Sequence, residues 1–160
     1  MAIDLLLLHY NGKLCSINME SKFFIILGNQ LFNPKILNKN NCNEVFMAED
    51  LGLCTYFKHH KAKLYLFLTA MREYRDEMSD SGFKIHYKDF NYQFESSYVS
   101  KLEETIKTAN PDKIYVYEIE DKEFESTLLS FLDKQSTDFE ILQSPMFIHD
   151  RNYFNSYQEG

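Results

Sequence analysis

The stretch Phe23–Gln30 reads "FFIILGNQ" and decides the fold of this chain. Its apolar residues form a short run, Phe23 to Leu27, that stops at Gly28. A run of this length without polar alternation is typical of a strand that is buried on both faces. Such a strand lies in a parallel sheet covered by helices on each side, so the stretch indicates an α/β protein.

Further strands and helices alternate after this stretch. Strands are predicted at Phe23–Leu27, Glu44–Ala48, Phe83–Tyr87, Lys113–Tyr117 and Phe139–Leu142. Helices are predicted at Tyr56–Ser79, Ser96–Thr108 and Asp121–Lys134. Alternating strands and helices predict parallel strands joined by right-handed crossovers. We therefore expect an α/β fold: a doubly wound, Rossmann-like five-stranded parallel sheet with helices on both faces.

The longest predicted helix follows the sequence "FKHHKAKLYLFLTAMR", Phe57 to Arg72. An apolar stripe is formed by residues spaced four and three apart: His60, Leu64, Phe67, Met71, Tyr74 and Met78. This spacing predicts that His60 is a core histidine. His59 and His60 are neighbours and point to different faces of a helix, so they are not expected to hold one metal ion together.

Composition and charge narrow the class of function. The chain has 160 residues and a formal net charge of −7, which fits one globular domain with a sizeable core. An acidic chain without a long Lys/Arg run lacks the electrostatic footprint of DNA-backbone binding, so DNA binding by this domain alone is not expected. A local basic patch at Lys58, Lys61 and Lys63 stays open as an alternative.

The cysteines and the apolar segments indicate in which cellular compartment the protein is expected. Cys15, Cys42 and Cys54 are an odd number without C-x-x-C spacing, which favours reduced thiols in a cytoplasm over disulfides or a zinc site. No apolar run approaches the ~20 residues of a membrane span. The run Leu5–Leu8 lacks the basic flank of a signal peptide. We expect a cytoplasmic protein with no membrane partner.

The first residues differ in character from the rest. A second start is available at Met19, and residues 1–20 are expected to form an N-terminal extension outside the core. The core domain is expected to span 21–160. An extra edge strand at Ile3–His9 is the alternative.

Candidate site residues lie at the carboxyl ends of the predicted strands, where open parallel sheets bind ligands. Gly28 allows close approach of the backbone, and Asn29 and Gln30 offer amide donors and acceptors. The stretch is neither G-x-G-x-x-G nor a P-loop, so a phosphate cradle is not indicated, and a polar turn stays open. At the second strand we expect Glu49 to contact a ligand and Asp50 to cap the following helix.

Other catalytic patterns find little support. Glu118, Glu120 and Asp121 follow the fourth strand and are expected to be a helix cap and a solvated face. No G-x-S-x-G or H-E-x-x-H pattern occurs, so neither catalytic residues nor a metal site is predicted.

The chain resembles the deoxyribodipyrimidine photolyase-related proteins, the prokaryotic cryptochrome and six-four photolyase family that carries an iron–sulfur cluster. The matching pieces are "ILGNQLF" (26–32), "VFMAED" (45–50), "HHKAKLYLFLTAMR" (59–72) and "GFKIHY" (82–87), with looser matches at "YEIED" and "FIHDRNYF" (147–154). Full members continue into a helical region that binds FAD, an iron–sulfur cluster and damaged DNA. The resemblance implies that this chain is the amino-terminal α/β domain, with that flavin domain absent.

In this family the domain holds an antenna chromophore, a ribityllumazine, that passes excitation energy to the flavin. The predicted chromophore contacts are Gly28, Asn29, Gln30, Glu49, Tyr56 and His59, of which the resemblance implies Glu49 and Tyr56, and the others follow from their places at the strand and helix ends. The glutamate of M-A-E maps onto Glu49, and Tyr56 maps less securely because residues are inserted before the H-H-K motif. Asn29 departs from the family's usual Asp in "GDQ", and an amide does not supply the same charge.

Three functions are therefore weighed. The leading one is an antenna-chromophore domain of a photolyase-like DNA repair flavoprotein, itself not catalytic. The second is a ligand-free domain that docks on and stabilises its flavin partner. The third is a small nucleotide-binding α/β enzyme, which the fold permits but does not imply. Without the flavin domain, an uncovered apolar face is expected to promote self-association.

Overall fold

The computed structural model describes residues 20–37, 41–149, 153 and 156–157, and the backbone at 9–10 and 13–14. In this part of the chain the strands are β1 (His9–Tyr10), β2 (Lys13–Leu14), β3 (Lys22–Ile25), β4 (Glu44–Ala48), β5 (Lys84–Lys88), β6 (Lys113–Tyr117) and β7 (Asp138–Leu142). The helices are α1 (Pro34–Leu37), α2 (Leu51–Thr55), α3 (Lys61–Asp80), α4 (Tyr98–Ala109) and α5 (Lys122–Leu132).

The main sheet has five strands in the order β5-β4-β3-β6-β7, and every neighbouring pair is parallel. The predicted doubly wound, Rossmann-like sheet is confirmed. β3 lies at the centre of the sheet. Its residues Phe23, Phe24 and Ile25 are therefore all fully buried. From β3 the chain first builds outward through β4 and β5 and then returns to add β6 and β7. The strand order therefore reverses between β3 and β6, where such sheets form a crevice.

Helices cover both faces of the sheet, as predicted. One face packs β3 residues Phe23 and Ile25 against α4 and α5 through Leu102 and Leu128. On the opposite face Phe24 belongs to a cluster that includes Met71, Tyr74 and Met78 of α3 and Leu37 of α1. Successive residues of β3 thus alternate between two cores, which explains why the run has no polar positions.

The long helix begins later than predicted. The sequence predicts one helix from Tyr56, but the structure has α2, a turn, and then α3 from Lys61. His60 is exposed, and its Nδ1 accepts a hydrogen bond from the backbone N of Ala62 at 3.2 Å. The prediction of a core histidine is therefore wrong, because His60 caps α3 before the apolar stripe enters the core at Met71.

Two predicted helix boundaries, the end of α4 and the start of α5, are confirmed. Asn110 ends α4 in the left-handed conformation at φ 47° and its N–H donates to Ile106, with Pro111 directly after it. Asp121 caps α5 through Oδ1, which accepts from the backbone N–H groups of Glu123 and Phe124. The helix α1 was not predicted, because its residues lie in an Asn-rich segment that reads as a loop.

At the N-terminus β1 and β2 pair with each other as an antiparallel two-stranded sheet, apart from the five-stranded sheet. Of the alternative edge strand at Ile3–His9, residues 3–8 lie outside the described residues. The described helices are each too short or too polar to cross a membrane.

Candidate functional site

A cavity of about 560 Å³ lies over the carboxyl ends of β3 and β4. Its floor is formed by strand ends, and its walls come from α2 and α3 on one side and from the starts of α4 and α5 on the other. The apolar lining residues include Leu27, Ala48, Leu53, Phe57, Leu64, Phe67, Leu68, Met71, Ile119 and Phe124. This size and this lining are those of a small-molecule site.

Gly28 forms part of the cavity floor, and side chains of α3 pack directly onto it. A Cβ at this position would lie 2.5 Å from Cε1 of Phe67 and 2.7 Å from Sδ of Met71. The space that Gly28 leaves free is thus occupied by the side chains of Phe67 and Met71. Phe67 lies over Gly28 as one wall of the cavity.

The carboxylate of Glu49 is fully buried and is bound by groups of the protein. Arg72 donates from Nε to Oε1 at 2.6 Å and from Nη2 to Oε2 at 2.9 Å. Tyr87 donates its hydroxyl to Oε1 at 2.7 Å, and the backbone N of Phe90 donates to Oε2 at 3.1 Å. These four bonds match the acceptor capacity of a carboxylate. A ligand contact with this group would have to displace one of them.

The pKa of Glu49 reflects these bonds. Burial by itself raises the pKa, but the hydrogen bonds from Arg72, Tyr87 and the Phe90 N–H outweigh it and hold the pKa below its ordinary value. Burial and the neighbouring Glu49 carboxylate raise the pKa of Tyr87, so its hydroxyl stays a donor. Glu49 is therefore ionised at neutral pH and joins the end of β4 to α3 and β5.

Asn29 and Gln30 differ in their relation to the cavity: only Asn29 lines it. Asn29 lines the cavity and donates from Nδ2 to Oε2 of Glu120 at 2.9 Å, which joins the ends of β3 and β6. Gln30 is fully buried, is not among the lining residues, and donates from Nε2 to the backbone O of Glu118 at 2.8 Å. Both amides thus connect the two strands at the point where the strand order reverses.

The mouth of the cavity is aromatic and polar. Tyr56 lines it and donates its hydroxyl to Glu123 of α5, so one hydrogen bond spans the gap between the two walls. His59 also lines the cavity, with Nδ1 3.4 Å from Nζ of Lys63. The structure therefore brings Gly28, Asn29, Glu49, Tyr56 and His59 to one cavity and leaves out Gln30.

Two polar residues that line the cavity were not predicted to do so. Asp50 caps α2 as predicted, through Oδ1, which accepts from the backbone N of Leu53 at 2.9 Å. Its other oxygen, Oδ2, is buried without a hydrogen-bond partner among the described residues. The hydroxyl of Tyr98 in α4 is likewise buried and unpartnered within that part of the chain. The sequence predicted Asp50 only as a helix cap, and it gave no indication that Tyr98 would line the cavity.

A buried lysine bonds to the backbone just after β4. Lys101 is fully buried in α4, and its Nζ donates to the backbone O of Glu49 at 2.8 Å. Cys54 lines the cavity, and burial together with the charges of Asp50 and Glu49 raises the pKa of its thiol. Cys42 and Cys54 are free thiols, and Cys15 lies outside the described residues. Within the described ranges, no cluster of three His, Cys, Asp or Glu side chains could hold a metal ion.

The fold and the cavity define a Rossmann-like α/β domain with a small-molecule-sized cavity over the carboxyl end of its sheet. Residues 24–160 match the model of the family described as "Deoxyribodipyrimidine photo-lyase-related protein", a range that includes the cavity and the main sheet from the middle of β3 onward. The chain belongs to this family.

A curated relative gives the scale of the longer proteins. The chain is similar to a protein named "(6-4) photolyase" from Agrobacterium fabrum (strain C58 / ATCC 33970), at 22% identity over 145 residues. The similarity covers 88% of this chain and 28% of that relative. The chain thus spans less than a third of the length of the relative it matches.

Proposed function

We propose that this domain binds an antenna chromophore of the ribityllumazine type in the cavity over β3 and β4. The observation that carries the proposal is the cavity itself: about 560 Å³, apolar walls and a few buried polar groups, in a chain of the photolyase-related family. A planar heterocycle fits such a lining, since its faces need apolar contact and its edges need hydrogen bonds.

When bound, the chromophore would absorb light and pass excitation energy to FAD. The chain's own residues would bind and orient it. Phe67, held against Gly28, offers a face for the ring. Tyr56 and His59 border the mouth, where the ribityl chain would leave the cavity. Glu49 would act as a positioning residue, because its carboxylate is held by Arg72 and its carbonyl by Lys101.

The flavin, the iron–sulfur cluster and damaged DNA are proposed to bind to a flavin domain of a longer protein. The proposal draws on the family and on the length of the relative, of which this chain matches 28%. The net charge of −7 agrees with a domain that does not bind DNA by itself.

The test is calorimetric titration of the purified domain with ribityllumazine. We expect saturable binding of one ligand per chain. Leu53→Trp, at a cavity-wall residue that is 41% exposed, should fill the mouth and weaken binding at least about tenfold. Leu66→Trp is the matched control, because Leu66 is 70% exposed and does not line the cavity. No binding by a folded domain, or equal loss in both variants, would contradict the proposal.

A second candidate function is docking on the flavin domain with no ligand bound. It is favoured by the first half of α3, residues 61–70, where no side chain is buried. Tyr65 and Leu66 are 76% and 70% exposed there, which is unusual for large apolar residues side by side on a helix. A domain that binds no planar ligand, and neither ADP nor ATP in the same titration, would favour docking.

A further inference from the structure

The outer face of α3 carries a second regular stripe. The residues of this outer stripe each follow a residue of the apolar stripe by two positions, and they are Ala62, Leu66, Thr69, Glu73, Asp76 and Asp80. Two positions correspond to about 200° around a helix, so the outer stripe lies opposite the apolar stripe that meets the core. None of its residues is buried and none lines the cavity. The outer stripe is therefore a surface separate from the candidate ligand site.

The character of this surface changes from one end of α3 to the other. Lys58 and Lys61 are exposed at the entrance of the helix, and neither makes a salt bridge within the described residues. Tyr65 and Leu66 come next, and both are large hydrophobic residues that are exposed. The second half of the helix is acidic on this side, through Glu73, Asp76, Glu77 and Asp80. The surface thus runs from basic through apolar to acidic along one helix.

The acidic half is not neutralised by its own molecule. Glu73 and Glu77 make no salt bridge in the part of the chain that the structure describes. The two arginines of this half, Arg72 and Arg75, already bind other carboxylates. Charges of opposite sign without salt bridges therefore lie at the two ends of one exposed face.

This order makes the surface complementary to itself. When two copies of α3 lie antiparallel, the basic entrance of each helix meets the acidic half of the other, and the apolar residues of both meet between them. A dimer with two-fold symmetry makes each of these contacts twice. The antiparallel arrangement also places the positive end of each helix dipole beside the negative end of the other. A partner of different sequence would need no such order on this surface.

We propose that this surface binds a second copy of the chain in an antiparallel α3–α3 dimer. Tyr65 and Leu66 pack at its centre, and the lysines at the helix entrance pair with the acids in the second half of the partner subunit's helix. A contact between two helix faces is small, so a dissociation constant on the order of 10–100 µM is expected. The dimer does not depend on a ligand, because Leu64, Phe67 and Met71 line the cavity from the other side of α3.

Charge reversal at each end of the surface tests the pairing. The basic-end variant is Lys58→Glu with Lys61→Glu. The acidic-end variant is Glu73→Lys with Glu77→Lys. These side chains are all exposed, and each change places a charge that the nearer end of the helix favours, so both variants should fold. Thermal unfolding of each variant checks this.

Sedimentation equilibrium of the full chain from about 5 to 500 µM measures the association. We expect wild type to dimerise and each variant alone to associate at least about tenfold more weakly, because like charges then meet at both ends. An equimolar mixture of the two variants should dimerise about as tightly as wild type, since opposite charges meet again in the mixed dimer.

Two further variants complete the design. Lys35→Glu with Lys134→Glu is the control, because both lysines are exposed outside α3 and the change gives the net charge of the basic-end variant. It should dimerise like wild type. Leu66→Lys places a charge at the apolar centre and should weaken the dimer at least about tenfold.

The outcomes decide between this dimer and its alternatives. Wild type that stays monomeric over the whole range would overturn the proposal and would favour docking of the flavin domain on this surface. A dimer that the charge variants weaken no more than the control does would have its interface elsewhere, which would also overturn it. The same holds for a mixture that associates no more tightly than either variant alone.

Discussion

Arg72 of α3 holds the buried carboxylate of Glu49 at the end of β4 through two hydrogen bonds, of 2.6 and 2.9 Å. The side chain of Arg72 is 49% exposed, whereas the side chain of Glu49 is fully buried. One side of this bidentate pair therefore lies in water and the other lies in the protein, beside Tyr87 and the Phe90 N–H.

Glu49→Ala is expected to destabilise the domain by about 2–3 kcal/mol. The variant leaves the Tyr87 hydroxyl and the Phe90 N–H without their acceptor, while water can still solvate the half-exposed Arg72 and limits the cost. Chemical denaturation at neutral pH measures this loss. Glu103→Ala is the control, because Glu103 pairs with Lys107 on the surface and its loss should cost less than about 0.5 kcal/mol. Equal effects of the two variants would contradict the role given to Glu49.

The contribution of Glu49 is expected to depend on pH. Its pKa in the folded domain lies below the ordinary value, so the stabilisation is complete above the unfolded pKa of about 4.3 and is lost as pH falls through the folded pKa. The difference in unfolding free energy between wild type and Glu49→Gln should therefore shrink as the pH falls below the unfolded pKa of about 4.3. Denaturation series at several pH values measure it, and a constant difference would be contrary to expectation.

Gly28→Ala should close part of the cavity. The new methyl group would meet the ring of Phe67 and the sulfur of Met71, which are free to move only by shifting into the cavity or the core. We expect a stability loss of about 1–3 kcal/mol and weaker binding of ribityllumazine. Gly82→Ala is the control, since Gly82 has φ 88° and nothing within 4 Å of an added Cβ. That variant should lose about 1 kcal/mol without a change in binding.

Thiol labelling should report on the cavity mouth. Cys54 lines the cavity, and its raised pKa makes the labelling rate rise with pH beyond the ordinary thiol value of about 8.5. Tyr56→Phe removes the hydrogen bond to Glu123 across the mouth and should speed labelling severalfold. Bound ribityllumazine should slow it.

The labelling is best measured in a Cys15→Ser background, because Cys15 lies outside the described residues. Cys42 is 4% exposed and burial raises its pKa to about 11, so it should stay unlabelled. Tyr65→Phe, on the exposed side of α3, should leave the rate unchanged. An equal rate in Tyr56→Phe and wild type would mean that the Tyr56–Glu123 bond does not restrict access.

His60→Asp is expected to stabilise the domain by about 0.5–1 kcal/mol. His60 caps α3 through a ring nitrogen, and a carboxylate is the better acceptor for the first N–H groups of a helix and also favours its positive end. Thermal unfolding of His60→Asp and His60→Ala measures the effect, with the alanine variant below wild type. A loss of stability in His60→Asp would count against the capping role.

The strands were predictable because their signal is local. Glu44–Ala48 and Lys113–Tyr117 match β4 and β6 residue for residue, and both are short apolar runs that can only be buried in a covered parallel sheet. The end of α4 was predictable for the same reason, since Asn110 before Pro111 cannot continue a helix. The start of α3 was not predictable. The apolar spacing extends back to His60, but His60 is the N-cap and the helix begins only at Lys61.

The sequence by itself determined the α/β class, the five strands of the sheet, and the polar residues at their carboxyl ends, because burial on two faces and helix periodicity are written in neighbouring residues. Only the tertiary structure decided what those polar residues do. Arg72, 23 positions away, binds the carboxylate of Glu49, and Asp50 lines one cavity with Tyr98 of α4. Hydrogen-bond satisfaction depends on groups brought together from distant parts of the chain, so no local pattern could show which oxygen has a hydrogen-bond partner and which has none among the described residues.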